Sequence, residues 1–332
     1  MSATLCKSAV RLVISIFIFA DGGTARVSTQ SVYDLETATK IAHSRPFFET
    51  KNPTGARGDS SECPQSLSGH RIDTLPYWIG DTPLPCMYSG HLLSSNTFEN
   101  YFFYWLAPRP ADLSPSTVSE APLIVYLNGG PGSSSMNALW TGNGPLRVKE
   151  TGSSVEGDDF AISYDTSISW QEAGDLLWID QPVGTGWSWG EHTVTTLEEI
   201  GSEFLHFMLS FYEEFPVYKQ RELVLTGESF AGKYLSYSSR AILDYNDAAK
   251  TTRINLRNLI LSNPLVDTPT ERLNQHHVGW ALGFYDDFQS DQVETLRRRC
   301  EEGPSLGLSV AKQSSNCKDI LNYITQPTGG VN

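Results

Sequence analysis

The chain has 332 residues, 39% of them hydrophobic, and a formal net charge of −14 at pH 7. That length holds one large α/β domain or two small ones, with enough apolar material for a sizeable core. The acidic balance, with a pI near 4.9, excludes a nucleic-acid-binding role, which requires a basic face. At the N-terminus, Lys7 and Arg11 precede the apolar run Leu12 to Ala20. The run is short for a membrane span and the right length for the hydrophobic region of an export signal. Gly23-Thr24-Ala25 supplies a small-x-small cleavage site. Residues 1–25 are therefore expected to be a signal peptide that sends the chain into the secretory pathway, to the outside or to a vacuole. A buried N-terminal strand is the alternative for this run. No later stretch approaches membrane-spanning length.

Residues 26–74 are polar and turn-rich, with Pro53, Gly55, Gly58 and Pro64 clustered, and read as an extension or propeptide. Cys6 falls inside the signal. Cys63, Cys86, Cys300 and Cys317 remain, an even set that in an oxidising route predicts two disulfides, in one of about three pairings. Further along, Tyr101 to Leu106 is an aromatic strand, and Pro108 to Pro122 a polar connection. Pro122 to Leu127 is a buried parallel strand, and Asp175 to Asp180 the next, ending at the turn Gly184-Thr185-Gly186. Thr196 to Phe215 has helical spacing at Leu197, Ile200, Phe204, Phe207, Met208 and Phe211. A second helix is expected over Lys233 to Tyr245 and a further strand over Leu256 to Leu261. This alternation predicts an α/β fold with a mostly parallel sheet and helices on both faces. No metal-ligand or dinucleotide-binding spacing is present, so no cofactor and no metal are expected.

Two stretches carry chemistry. In Leu223-Val224-Leu225-Thr226-Gly227-Glu228-Ser229-Phe230-Ala231-Gly232 an apolar strand runs into a serine flanked by small residues, with helical sequence after it. This is the pattern of a nucleophile elbow, in which Gly227 and Ala231 must be small and the amide of Phe230 is left free to bind an oxyanion. The bland reading is a strand-turn-helix with a capping serine. The other stretch, Asn128-Gly129-Gly130-Pro131-Gly132-Ser133-Ser134-Ser135, follows the strand ending at Leu127. Its glycines let the backbone approach a reacting atom, which makes the Gly129 amide the candidate second oxyanion donor. Pro131, and the lack of a Lys before a Ser or Thr, argue against a phosphate-binding loop.

With both stretches in place, the chain resembles the serine carboxypeptidases of the α/β-hydrolase superfamily, in their fungal and yeast-like branch. The resemblance rests on Asn128 to Ser135 (NGGPGSSS), Leu176 to Ser188 (LLWIDQPVGTGWS), Gly227 to Tyr234 (GESFAGKY) and Asn258 to Asp267 (NLILSNPLVD), with a weaker match over Tyr88 to Leu106. It implies an α/β-hydrolase fold over residues 75–332, with 268–332 opening a helical cap insertion. It also implies removal of C-terminal residues from peptides or proteins: Ser229 attacks, Gly129 and Phe230 hold the oxyanion, and Asn128 and Glu228 grip the terminal carboxylate. An ionised Glu228 would repel that carboxylate unless the two acids share a proton, which favours acidic conditions. The resemblance further implies pairing of Cys300 with Cys317, leaving Cys63 with Cys86. Three positions depart from the family pattern: Gly142 stands where a glutamate is usual, Tyr126 where a tryptophan is, and Ser133 where a cysteine is.

The triad of this fold runs Ser, Asp, His along the chain. After Ser229 the only histidines are His276 and His277, in a stretch resembling the start of the cap insertion, and Asp267 is a remote candidate acid. The chain is thus expected to be truncated, its sheet incomplete at the C-terminal end, and inactive for want of the family's Asp and His. Two other readings remain: a non-catalytic relative that binds peptide ends, and an acyltransferase or esterase of the same fold. Oligomeric state is open at this stage.

Overall fold

A computed structural model of the chain describes residues 11–15, 63–80, 84–110, 121–151, 160–249, 253–302 and 310–325. Its strands, in chain order, are β1 (Arg11–Ser15), β2 (Tyr88–Leu93), β3 (Asn100–Ala107), β4 (Leu123–Leu127), β5 (Leu146–Glu150), β6 (Phe160–Tyr164), β7 (Asp175–Ile179), β8 (Trp189–Gly190), β9 (Leu223–Glu228) and β10 (Leu256–Ser262). Eight of them form one sheet in the order β1-β10-β9-β4-β7-β3-β2, with β8 beside β3, while β5 and β6 form a separate hairpin. The strands from β1 to β7 in that order are parallel; β3 is antiparallel to β7, β2 and β8.

Alternation along the strands sends side chains to two cores. Tyr104, Leu106, Val125, Leu177 and Leu225 pack on one face against α2 (Leu197–Glu214) and α3 (Ala231–Ala248). Trp105, Ile124, Leu176, Trp178 and Val224 face the other way, under α1 (Met136–Thr141), the β5–β6 hairpin and the stretch from Ile72 to Met87. With both faces covered, β7 is buried at every position, which is why Asp175 to Ile179 reads as an unbroken apolar run after its aspartate. The expected helix over Thr196 to Phe215 is α2. It starts at a reciprocal cap in which Thr196 accepts from the Glu199 amide and Glu199 reaches back to the Thr196 amide. The helix after the elbow is longer than expected, reaching from Ala231 to Ala248.

The apolar run near the N-terminus holds a difference. Its residues Arg11–Ser15 form β1, paired in parallel register with β10 from Arg11 opposite Asn258 to Ser15 opposite Ser262. The outer edge of β10, where the sheet was expected to stop, is therefore occupied. The rest of residues 1–25 and most of 26–74 lie outside the described residues.

Contacts divide the chain into two units, Met1–Pro264 and Leu265–Asn332. In the second, α4 (Thr268–Ala281), α5 (Asp287–Glu302) and α6 (Val310–Thr325) gather around Leu296, Cys300, Cys317 and Ile320, and around Tyr285, Val293 and Ile324. The four cysteines form two bridges, Cys63–Cys86 with Cα atoms 5.7 Å apart and Cys300–Cys317 at 4.6 Å. Cys63–Cys86 joins residues 23 apart in the sequence, and between them Ile72, Leu75 and Leu84 pack into the second core. Replacing both cysteines by alanine is expected to cost about 3 kcal/mol of unfolding free energy in urea, mainly through a freer unfolded chain.

Candidate active site

β9 ends at Glu228 and α3 begins at Ala231, so the chain reverses over two residues. Ser229 carries the turn with φ of 55°, a left-handed backbone that a non-glycine residue adopts only when its surroundings impose it. Those surroundings are specific. The Ser229 amide donates to the Ser262 carbonyl at the end of β10 (3.1 Å), and the Ser229 carbonyl accepts from the Gly232 amide (3.0 Å). A Cβ on Gly227 would lie 2.5 Å from the Leu127 carbonyl and 2.8 Å from Ala231 Cβ, so the elbow closes only over a glycine. Ser229 and Glu228 are exposed at the end of the sheet, and Phe230 is half-buried.

The glycine-rich stretch after β4 docks against this turn. A Cβ on Gly129 would meet the Phe230 amide nitrogen at 2.6 Å and Ser229 Cβ at 2.8 Å, so the backbone of Gly129 lies directly on the elbow. Within the loop the Asn128 amide donates to Ser135 Oγ (3.1 Å) and the Ser133 amide to the Gly129 carbonyl (3.2 Å), while the Gly132 amide reaches Tyr234 of α3 (3.2 Å). The structure thus brings Asn128, Gly129, Glu228, Ser229 and Phe230 together at one end of β4 and β9.

Register explains which side chains share a face. Tyr126 lies opposite Thr226, and the period of two carries Glu228 and Asn128 to the same side. Burial, and then the charge of Glu228, hold the Tyr126 phenol above its ordinary range and therefore neutral. Asn128 Oδ1 and Thr226 Oγ1 are buried without a hydrogen-bond partner among the described residues. Glu228 joins no salt bridge among them, so no cation holds it away from the site. At Gly142, where a second acid would stand, the next residue Asn143 accepts from Trp178 Nε1 (3.0 Å) and the Trp170 amide (3.0 Å). That residue is spent on holding β7 and the turn at Trp170.

No hydrogen bond links a histidine to Ser229 among the described residues. In the first unit His70 contacts Tyr104, His91 the Trp187 carbonyl, His192 Glu199 and His206 the Ser202 carbonyl. His276 and His277 lie on α4 in the second unit, their rings 3.9 Å apart, with His276 Nδ1 against the Leu273 carbonyl. Asp267, the remote candidate acid, precedes α4 and accepts the Thr270 hydroxyl.

The sequence reading passed over Asp180. It follows β7, is fully buried, and accepts from Ser134 Oγ (2.7 Å), the Ser135 amide (2.9 Å) and the Trp187 amide (3.1 Å). Burial pushes its carboxyl up to about 6, against the pull of those donors. An aspartate closing the apolar run Leu176 to Ile179 was the available signal.

A family model described as serine carboxypeptidase matches residues 80–332. The chain is 33% identical over 208 residues to a pheromone-processing carboxypeptidase of Candida glabrata, covering 61% of this chain and 26% of that protein. It is 31% identical over 258 residues to a serine carboxypeptidase S10 family member of Dictyostelium discoideum, covering 76% and 44%. The crystal structure of a prohormone-processing carboxypeptidase from Saccharomyces cerevisiae superposes with a TM-score of 0.61 at 25% identity, over 73% of this chain and 53% of that one. The chain thus spans between a quarter and a half of the length of these two curated relatives.

Proposed function

Because the chain belongs to the serine carboxypeptidase family, we propose that this site recognises the C-terminal end of a peptide and that Ser229 is the nucleophile for releasing the last residue. The observation that carries the reading is Gly129 lodged against the Phe230 amide and Ser229 Cβ. This closeness of Gly129 to the elbow supports a reading in which the Gly129 and Phe230 amides hold the oxyanion formed when Ser229 attacks. In the reaction Ser229 Oγ attacks the last amide carbonyl and gives its proton to a base. The oxyanion collapses with cleavage of the C–N bond and protonation of the leaving amine, and water then hydrolyses the acyl ester to restore the Ser229 hydroxyl. Asn128 and a Glu228 that shares a proton with the substrate carboxylate fix which bond is presented.

Serine is a weak nucleophile without a base, and Ser229 has no histidine partner among the described residues. The 332-residue chain is therefore expected to bind peptide ends and to acylate slowly. That observation favours a second reading, a peptide-end-binding protein without turnover. Export belongs to the same proposal: the two disulfides suit an oxidising route, and among the described residues no helix is long and apolar enough to cross a membrane.

The test is binding of one N-terminally labelled peptide in free-acid and amidated forms. The acid is expected to bind about tenfold tighter, the worth of one charge-assisted hydrogen bond. Asn128→Ala should abolish most of that preference; equal binding of acid and amide by the unaltered chain ends the reading. A fluorophosphonate should label Ser229 slowly. Rapid labelling, lost in Ser229→Ala, would show that a base is at hand and direct the search to His276 and His277.

A further inference from the structure

We infer that Asp180 is the positioning residue of the oxyanion loop, a buried carboxylate whose ionisation clamps Asn128 to Ser135 in place against the elbow. Its Oδ1 accepts both the Ser134 hydroxyl and the Ser135 amide, at 2.7 and 2.9 Å, and its Oδ2 accepts the Trp187 amide at 3.1 Å. Ser135 in turn accepts the Asn128 amide through Oγ, at 3.1 Å. The path from carboxylate to candidate oxyanion donor is therefore Asp180, Ser135, Asn128, then Gly129. On the backbone side Asp180 is fixed to the sheet: its amide donates to the Phe103 carbonyl (2.9 Å), and its carbonyl accepts Ser188 Oγ (2.6 Å), which itself accepts the Phe103 amide (2.7 Å). Asp180 thus joins β3 through its backbone to the turn at Trp187 and the glycine-rich loop through its carboxylate.

The donors all point inward, and this makes protonation consequential. An ionised carboxylate offers only acceptors to the hydroxyl and the amides; a protonated one carries a hydrogen that must face one of them. The groups that set its titration are burial first and then Ser134, Trp187, Ser135 and Met136, with no charged side chain among them. With the carboxyl raised to about 6, the loop is unclamped at lower pH and clamped above. The sign for the whole fold is opposite. A raised acid stabilises the folded state most below the ordinary carboxylate range, and that contribution is lost as pH rises through about 6. Loop order and global stability therefore move in opposite directions over one window.

Hydrogen exchange of the full chain between pH 4.5 and 8, corrected for intrinsic rates, reads this directly, because the Ser135 and Trp187 amides are the donors themselves. Protection of these amides is expected to rise about tenfold with a midpoint near pH 6. In Asp180→Asn the pH dependence should vanish, and the amide that meets the new Nδ2 in place of an oxygen should stay unprotected throughout. Ser134→Ala keeps the carboxylate but removes a bond that favours its ionised form, so the midpoint should move to higher pH. This second variant decides the matter if Asp180→Asn does not fold. Protection independent of pH in the unaltered chain, or an unmoved midpoint in Ser134→Ala, overturns the inference. Neither readout involves peptide binding, so the inference stands or falls apart from the proposed activity.

Discussion

Arg221→Met is expected to lower unfolding free energy by about 3–5 kcal/mol, the cost of leaving one member of a buried ion pair alone. Arg221 and Asp175 are both buried, joined at 2.7 Å. Asp175 also accepts Tyr218 Oη at 2.6 Å and the Arg109 amide at 2.8 Å, and the Arg221 guanidinium lies over the Tyr218 ring. Burial already raises the Asp175 carboxyl, with Tyr218, the Arg109 amide and Arg221 opposing. Without Arg221 the acid would rise further, so the variant's deficit should shrink as pH falls and the lone carboxylate takes a proton. Urea unfolding of wild type, Arg221→Met, Asp175→Asn and the double variant at pH 5 and 7 measures this. A double variant as unstable as the sum of the singles would mean that the two groups do not act as a pair.

Gly227→Val is expected to remove the elbow altogether. Its Cβ would lie 2.5 Å from the Leu127 carbonyl and 2.8 Å from Ala231 Cβ, which forces β9 away from β4 or α3 away from both. Overpacking at a fully buried site costs about 1–3 kcal/mol, and here it strikes the parallel pair that carries both Asn128 and Glu228. We expect a loss of about 3 kcal/mol in urea unfolding, together with the loss of any preference for a free-acid peptide. A Gly227→Val protein that melts like wild type and keeps that preference would show that the strand-to-helix turn is not the frame of the site.

Much of this frame was legible in the sequence because it is local. The strand before Asn128, the strand and helix around Ser229, and the period of α2 are each written in a few neighbouring residues, and each appears at its expected place. Boundaries drifted where local signals are weak. Nothing after Tyr245 stops α3, so it continues to Ala248. What could not be read was set by pairing across distance. The β5–β6 hairpin lacks a tight-turn signature and is defined by partners such as Val148 and Ile162. The second face of the sheet is covered in part by Ile72, Leu75, Leu84 and Met87, of which Ile72 falls in the expected polar extension. Asp180 looked like the end of a strand because its partners lie 45 and 46 residues away at Ser135 and Ser134. The shared face of Tyr126, Asn128 and Glu228 follows from register between β4 and β9, which no single segment encodes.

The pairing of β1 with β10 sets two destinies for the same residues against each other. A chain cut after Ala25 surrenders Arg11–Ser15 and leaves the outer row of β10 amides and carbonyls, from Asn258 to Ser262, open to any extended segment. A chain that keeps its leader carries its own plug for that edge. Removal of this segment would then do more than shorten the chain, because it would uncover a strand-shaped gap beside β10, the neighbour of β9. Whatever fills it afterwards joins the same sheet as Tyr126, with β10 and β9 between them.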